Sequence, residues 1–284
     1  MNNQLIEQVY NFLAKDQDNL DETSLNAVFA RSGYDRGPKT IIAKCNEYIS
    51  AKRYEEQLHY IIKLSKNFGE KIIFMKGILV AQDLYGDINK RKTSDIDILV
   101  RKQDVLDVGH FLLKEGFCCD EQDWMKEIDK NHLVFKKVPV VIELHAKVFN
   151  PPYIFEEFTE FVWKRAMYQN ILGIDILFMD PYDRLIHYVL HYYRHHMELE
   201  ILALMGLKSY FRVQPILDIY STIKKYNLNF DILYIRIKEI DAITEFYEVF
   251  QFVYNIFPAI CPEEFVCCLK KNSVKAKEQN LNLW

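Results

Sequence analysis

Apolar residues recur at three- and four-residue spacing from Asn3 to about Asn67, as in Leu5, Val9, Phe12 and Leu13 and again in Tyr54, Leu58, Ile61, Ile62 and Leu64, which predicts a helical lead-in. Ser32-Gly33-Tyr34-Asp35-Arg36-Gly37-Pro38 interrupts it with the glycines and proline of a turn between helices. At Lys71 the texture changes. Lys71-Ile72-Ile73-Phe74-Met75 is a short apolar run suited to a buried strand, and Lys76-Gly77 ends it directly before the helix-periodic segment Ile78 to Tyr85. A strand is therefore expected to turn sharply into a helix. After a polar loop, Gly86 to Ser94, the run Asp95-Ile96-Asp97-Ile98-Leu99-Val100 predicts another strand, and Gln103 to Lys114 a helix closed by Gly116. Leu133-Val134-Phe135 and Val138 to Val148 predict two more strands, with Lys136-Lys137 at or near their turn.

Beyond Pro151-Pro152 the pattern is mostly helical. Asp180-Pro181-Tyr182-Asp183 marks the clearest start, with Asp180 as cap, Pro181 at the first helical position and Asp183 facing the positive end of the helix dipole. That helix is expected to reach about Leu204, and others to follow over roughly 213–225, 230–240 and 242–256. No internal repeat or low-complexity tract is present. The expected fold is α+β: a small mixed β-sheet core at 69–165 between an N-terminal helical segment, 1–68, and a C-terminal helical domain, 166–284.

Composition narrows the field of functions. Among 284 residues Lys+Arg number 36 against Asp+Glu 40, a formal charge of −4, so there is no excess of positive charge to hold a long nucleic acid. With 50% hydrophobic and 27% charged residues the chain can bury a real core. The start of the chain has no signal-peptide pattern, and no run reaches the ~18 apolar residues of a membrane span, so a cytoplasmic protein is expected. The cysteines, at 45, 118, 119, 261, 267 and 268, lack the spacing of a zinc knuckle or a disulfide framework and are expected as thiols.

The candidate chemistry lies on the predicted strands. Side chains alternate along a strand, so Asp95 and Asp97 share one face and Ile96 and Ile98 the other. Two carboxylates side by side repel, and a hard divalent cation is the obvious remedy; oxygen ligands of this kind suit Mg²⁺ beside substrate phosphates. By the same alternation Val140, Ile142, Leu144, Ala146 and Val148 form an apolar face, leaving Val141, Glu143, His145 and Lys147 opposite. Glu143 is a single acid on a hydrophobic strand, which is costly without a partner, and a neighbouring metal site would supply one.

This order of parts, strand, glycine turn, helix, Asp-x-Asp strand and a later strand with one more acid, resembles the nucleotidyltransferase fold of the DNA polymerase β superfamily. More closely, Met75-Lys76-Gly77, Tyr85, Arg91, Ser94 to Val100, Gly116-Phe117 and Ile142-Glu143-Leu144-His145 resemble an uncharacterised bacterial family, nucleotidyltransferase family 5. The likeness is tightest over about 71–148 and extends loosely to Asp183-Arg184-Leu185-Ile186-His187 with His191, and to Arg212 with Leu217-Asp218. The resemblance implies in-line nucleotidyl transfer from an NTP with release of pyrophosphate, Asp95 and Asp97 binding two Mg²⁺ ions (or Mn²⁺) and Glu143 completing the site. It further implies that Gly77 admits the triphosphate to the backbone at the helix start, with Lys76, Arg91 and Ser94 as the other nucleotide-binding candidates. The superfamily's serine next to that glycine is missing; Ile78 follows Gly77 here.

His145, His187, His191, Arg212 and Asp218 are the candidate substrate-binding residues. His187, His191 and His195 recur every four residues on one helical stripe, beside His196, yet lack the glutamate of a His-Glu-x-x-His zinc motif. They are expected to line the cleft or the seam between domains. Arg212 and Asp218 could equally form a structural ion pair, and Tyr188, Tyr192, Tyr193 and Tyr210 could stack a base. The expected acceptor is a hydroxyl of a small molecule or a protein. The rivals are an antitoxin-type enzyme modifying a protein partner, a nucleotide-binding module without turnover, and a zinc hydrolase built on the histidine stripe.

Overall fold

The computed structural model describes residues 38–91, 93–119, 132–149, 155–204 and 214–281. The expected helices before residue 38 and the turn at 32–37 lie outside these residues. In chain order the elements are α1 (Pro38–Phe68), β1 (Ile72–Phe74), α2 (Ile78–Tyr85), β2 (Asp95–Val100), α3 (Val105–Lys114), β3 (Cys118–Cys119), β4 (His132–Lys137) and β5 (Val140–His145). There follow α4 (Glu156–Arg165), β6 (Met167–Ile171), β7 (Ile174–Phe178), α5 (Pro181–Leu204), α6 (Gln214–Tyr226), α7 (Phe230–Glu239), α8 (Ile243–Ile256) and α9 (Glu263–Leu281). The fold is α+β, a seven-stranded mixed sheet with helices before and after it.

The strand order is β3-β4-β5-β2-β1-β7-β6. The pairs β1–β2, β3–β4, β4–β5 and β6–β7 are antiparallel, whereas β2–β5 and β1–β7 are parallel. The two strands that carry acids are thus direct neighbours. Ile72, Ile73 and Phe74 on β1, Ile96 and Ile98 on β2 and Val140, Ile142 and Leu144 on β5 are all buried. That is the apolar set anticipated from alternation on β2 and β5 and from the unbroken run at β1. Helix α1 packs on β1, β2, β5 and β7, burying Tyr54, Ile61 and Leu64.

Three features depart from expectation. The stretch after Pro151-Pro152 is not helical throughout, because β6 and β7 form a hairpin that extends the sheet, with β7 pairing to β1 at Phe74 and Phe178. Its two-residue turn, Leu172-Gly173, has positive φ at both positions, 56° and 75°, the geometry a tight hairpin needs. Leucine is an unusual occupant of that conformation and masks the turn signal. The β4–β5 turn falls at Val138-Pro139, since Lys137 pairs with Val140, so Lys136 and Lys137 close β4. Helix α9 lies within the expected C-terminal helical domain, although the sequence pattern placed no separate helix after 256.

Helix α5 begins as its sequence indicates: Asp180 Oδ1 accepts a hydrogen bond of 2.9 Å from the Tyr182 N–H. Asp183 is fully buried and sits 3.1 Å from both Arg165 and Arg236. Next to it Arg184 is also fully buried, its Nη1 2.6 Å from Asp83 Oδ2 on α2 and its Nη2 donating to the Tyr226 hydroxyl on α6. Lys225 Nζ, 2.5 Å from Asp83 Oδ1, completes a charged knot that joins the first sheet helix to the C-terminal helices. Among the described residues no helix is long and apolar enough to cross a membrane, and Cys118, Cys119, Cys261, Cys267 and Cys268 form no disulfide with one another.

Candidate active site

Parallel pairing of β2 with β5 sets Asp97 beside Glu143 and Asp95 beside Val141. The three acids therefore project from adjacent strands on one face, although 46 positions separate Asp97 from Glu143 in the chain. They line a cavity of about 940 Å³, together with Lys76, Ser94 and Arg91 from the turns around β1 and β2. The opposite wall comes from Tyr188, His191 and His195 of α5 and from Gln214 and Asp218 of α6. Ser50, Arg53 and Tyr54 of α1 line it as well.

The charge balance of the cluster follows from its neighbours. Burial, and then the charges of Asp97 and Glu143, push the Asp95 carboxyl above the usual carboxylate range. Ser94 Oγ offsets part of this by donating a hydrogen bond of 3.0 Å to Asp95 Oδ2. Asp97 is buried, which opposes its charge. Lys76 Nζ at 3.8 Å and His145 Nε2 at 3.3 Å nevertheless hold its pKa well below the ordinary value. Glu143 is lowered to about 2 by the close approach of the His132 and His145 imidazoles, against the pull of burial and of Asp97. Burial also disfavours a charged His145, yet Asp97 and Glu143 more than compensate and raise its pKa. Burial and like charge thus keep the three carboxylates on one face out of balance; among the described residues the acidic and histidine ligand atoms that converge within 4.8 Å of one another are those of His132, Glu143 and His145.

The turn into α2 is built around Gly77, at φ 83°. A side chain there would place its Cβ 3.1 Å from the Asp95 carbonyl oxygen, so glycine is required both by the backbone angle and by the close approach to β2. The Met75 N–H donates to the Asp97 carbonyl oxygen at 3.1 Å, which continues the β1–β2 pairing up to this turn. The first turn of α2 thereby stands next to the carboxylates.

Residues 44–258 match the profile of a family described as Uncharacterised nucleotidyltransferase. The chain belongs to that family. The solved structure of an antigenic nucleotidyltransferase-like protein from Paracoccidioides brasiliensis is similar over 76% of this chain and 93% of that one, with 16% sequence identity and a TM-score of 0.46. No curated protein matches the chain.

The remaining candidate residues divide. Arg91, named for phosphate, lines the cavity while its Nε lies 3.0 Å from Asp218 Oδ2. Asp218 also accepts hydrogen bonds from the Tyr85 hydroxyl at 2.7 Å and from Gln214 at 3.0 Å. Burial and Asp218 raise the Tyr85 pKa, so the phenol stays a donor. The partner of Asp218 is thus Arg91 from the sheet region; Arg212 lies outside the described residues, as does Tyr210. His187 is buried against Phe149, 5.6 Å between ring centroids, and does not line the cavity. Burial, and then Lys76, keep it and His191 uncharged. His191 and His195 do reach the cavity, their Nε2 atoms 3.1 Å apart.

Two contributors escaped the sequence. Arg53 comes from a helix that carries no motif, lines the cavity and forms no ion pair with any described residue. His132 touches Glu143, and only the β4–β5 register reveals it.

Proposed function

We propose that the protein transfers a nucleoside monophosphate from an NTP to a hydroxyl of a small molecule or a protein, releasing pyrophosphate. The single observation that carries the reading is the register Asp97↔Glu143, which brings the third carboxylate beside the Asp-x-Asp pair at the floor of a cavity large enough for a nucleotide and part of an acceptor. Two divalent cations held by Asp95, Asp97 and Glu143, Mg²⁺ or in its place Mn²⁺, would neutralise the phosphates and ease deprotonation of the acceptor hydroxyl. The chain's own groups do the rest. Lys76 would turn from Asp97 to the phosphates, with Gly77 letting them approach the N–H groups at the start of α2. Arg53 is a second phosphate cation from the facing wall. Arg91, held by Asp218, fixes the loop that carries Ser94 and adds positive charge at the cavity edge. Tyr188 offers an aromatic face to a base or an acceptor ring.

The acceptor oxygen bonds to the α-phosphorus as the bridging P–O bond to the β-phosphate breaks, so the assay follows both products. Each of the four NTPs is incubated with Mg²⁺ or Mn²⁺ and a cell extract, and pyrophosphate release and mass gains are read. The expected result is metal-dependent release matched by a nucleotide-sized mass gain on an acceptor, absent from Asp97→Asn. Nucleotide binding with no pyrophosphate from any NTP would favour the module without turnover.

A further inference from the structure

His132 opens β4 directly opposite His145 on β5, and the two imidazoles lie with ring centroids 4.7 Å apart on the face that carries Glu143. His132 Nε2 is 3.1 Å from Glu143 Oε2. His145 Nε2 is 3.6 Å from that same oxygen and 3.3 Å from Asp97 Oδ1. The donor atoms of His132, Glu143 and His145 all lie within 4.8 Å of one another. Bonds of about 2.1 Å to one ion separate its ligands by about 3.4 Å in a tetrahedron and by about 3.0 Å at adjacent corners of an octahedron. The contacts observed fall close to this range. The His145 Nε2 atom is also shielded from solvent, and it has no hydrogen-bond partner among the described residues. A buried ring nitrogen facing two carboxylate oxygens without bonding to either is accounted for by a cation that all three share.

We propose that His132, Glu143 and His145, with Asp97 at their edge, form a transition-metal site that takes Mn²⁺ or Zn²⁺ in preference to Mg²⁺. The donor chemistry decides the class of ion: Mg²⁺ is held by oxygen and keeps its waters, whereas two imidazoles and a carboxylate suit first-row transition metals. The ion also replaces the contacts that now balance Glu143, since a metal demands neutral imidazoles and an ionised carboxylate. The site rests on the nucleotidyl-transfer reading only through its sharing of Asp97 and Glu143, and metal binding here stands or falls by itself.

Pulsed electron paramagnetic resonance of Mn²⁺ added to the full chain, with no nucleotide, reads the ligands directly. Nitrogen couplings from histidine are expected in the wild-type spectrum, and they change when the protein is made with ¹⁵N-histidine. They weaken in His132→Gln and vanish in His132→Gln with His145→Gln, with Mn²⁺ affinity falling about tenfold or more in the single variant. Equimolar Zn²⁺ displaces the signal, and a large excess of Mg²⁺ does not. Mn²⁺ bound through oxygen alone, displacement by Mg²⁺ at equal concentration, or no binding overturns the site; the isotope comparison decides the matter even if the variants fail to fold. Persistent nitrogen couplings in a protein that transfers no nucleotide uphold the site and sink the functional reading. Magnesium-driven transfer with no nitrogen couplings does the reverse.

Discussion

Asp97 is the side chain on which the local electrostatics converge, because it is buried beside one lysine, one histidine and a facing glutamate. Replacing it with asparagine keeps the volume and removes the charge that a cation needs. Asp97→Asn is therefore expected to lower transfer by about 10²–10³-fold, with the melting temperature little changed, as measured by pyrophosphate release alongside thermal unfolding. Gly77→Ala acts differently. It forces a residue with a Cβ to φ 83° and against the Asp95 carbonyl, so it should cost about 1–3 kcal/mol in denaturant unfolding as well as activity. At this scale the sequence was informative wherever a single strand decides the outcome: alternation alone put Asp95 and Asp97 on one face and Glu143 opposite the apolar set. It was silent where two strands decide. His132 stands opposite His145 only if the hairpin turns at Val138-Pro139, and two lysines of β4 looked like that turn.

Among the elements, α2 is fastened at both ends of its role. Its start approaches the carboxylates, and Asp83 in its second turn enters the knot with Arg184, Lys225 and Tyr226. Asp83→Ala would leave a fully buried guanidinium uncompensated and should destabilise by about 3–5 kcal/mol in equilibrium unfolding. Burial opposes the charge on Asp83, but Arg184, Lys225 and Tyr226 prevail and lower its pKa in the folded state. A lowered folded-state pKa gives stability that is present above the unfolded value and is lost as pH falls through the folded one. The urea midpoint should hence drop as pH falls through and below the ordinary carboxylate range, and more steeply in the wild type than in Asp83→Asn. The caps of α5 and the end of β1 at Gly77 were legible because capping and glycine chemistry are local. The β6–β7 hairpin was not, since its turn depends on a leucine held at positive φ by its neighbours and its edge strand Met167–Ile171 is largely exposed.

For the whole molecule, the cavity exists because α1, α5 and α6 close over the sheet face that carries the acids. The Arg91–Asp218 pair, with Asp218 buried and Arg91 partly buried at the junction of sheet and helices, fixes one edge of that enclosure. Sequence patterning pointed to the three carboxylates and to the histidine stripe of α5 for the cleft or the interdomain seam, and left Asp218 of α6 between an ion pair and substrate binding, but no pattern links Arg53 to a site formed some forty residues later. The central claim is that acids from two strands and the turn at Gly77 make one nucleotide and metal site. It is tested most directly by a crystal structure of the protein with Mn²⁺ and a non-hydrolysable NTP analogue, recorded for anomalous scattering. Manganese peaks within bonding distance of Asp95, Asp97 and Glu143, with the triphosphate beside Lys76 and Gly77, are the predicted result. Manganese on His191 and His195 instead, or a nucleotide bound away from β2 with Asp97 still paired to Lys76 and His145, would contradict it.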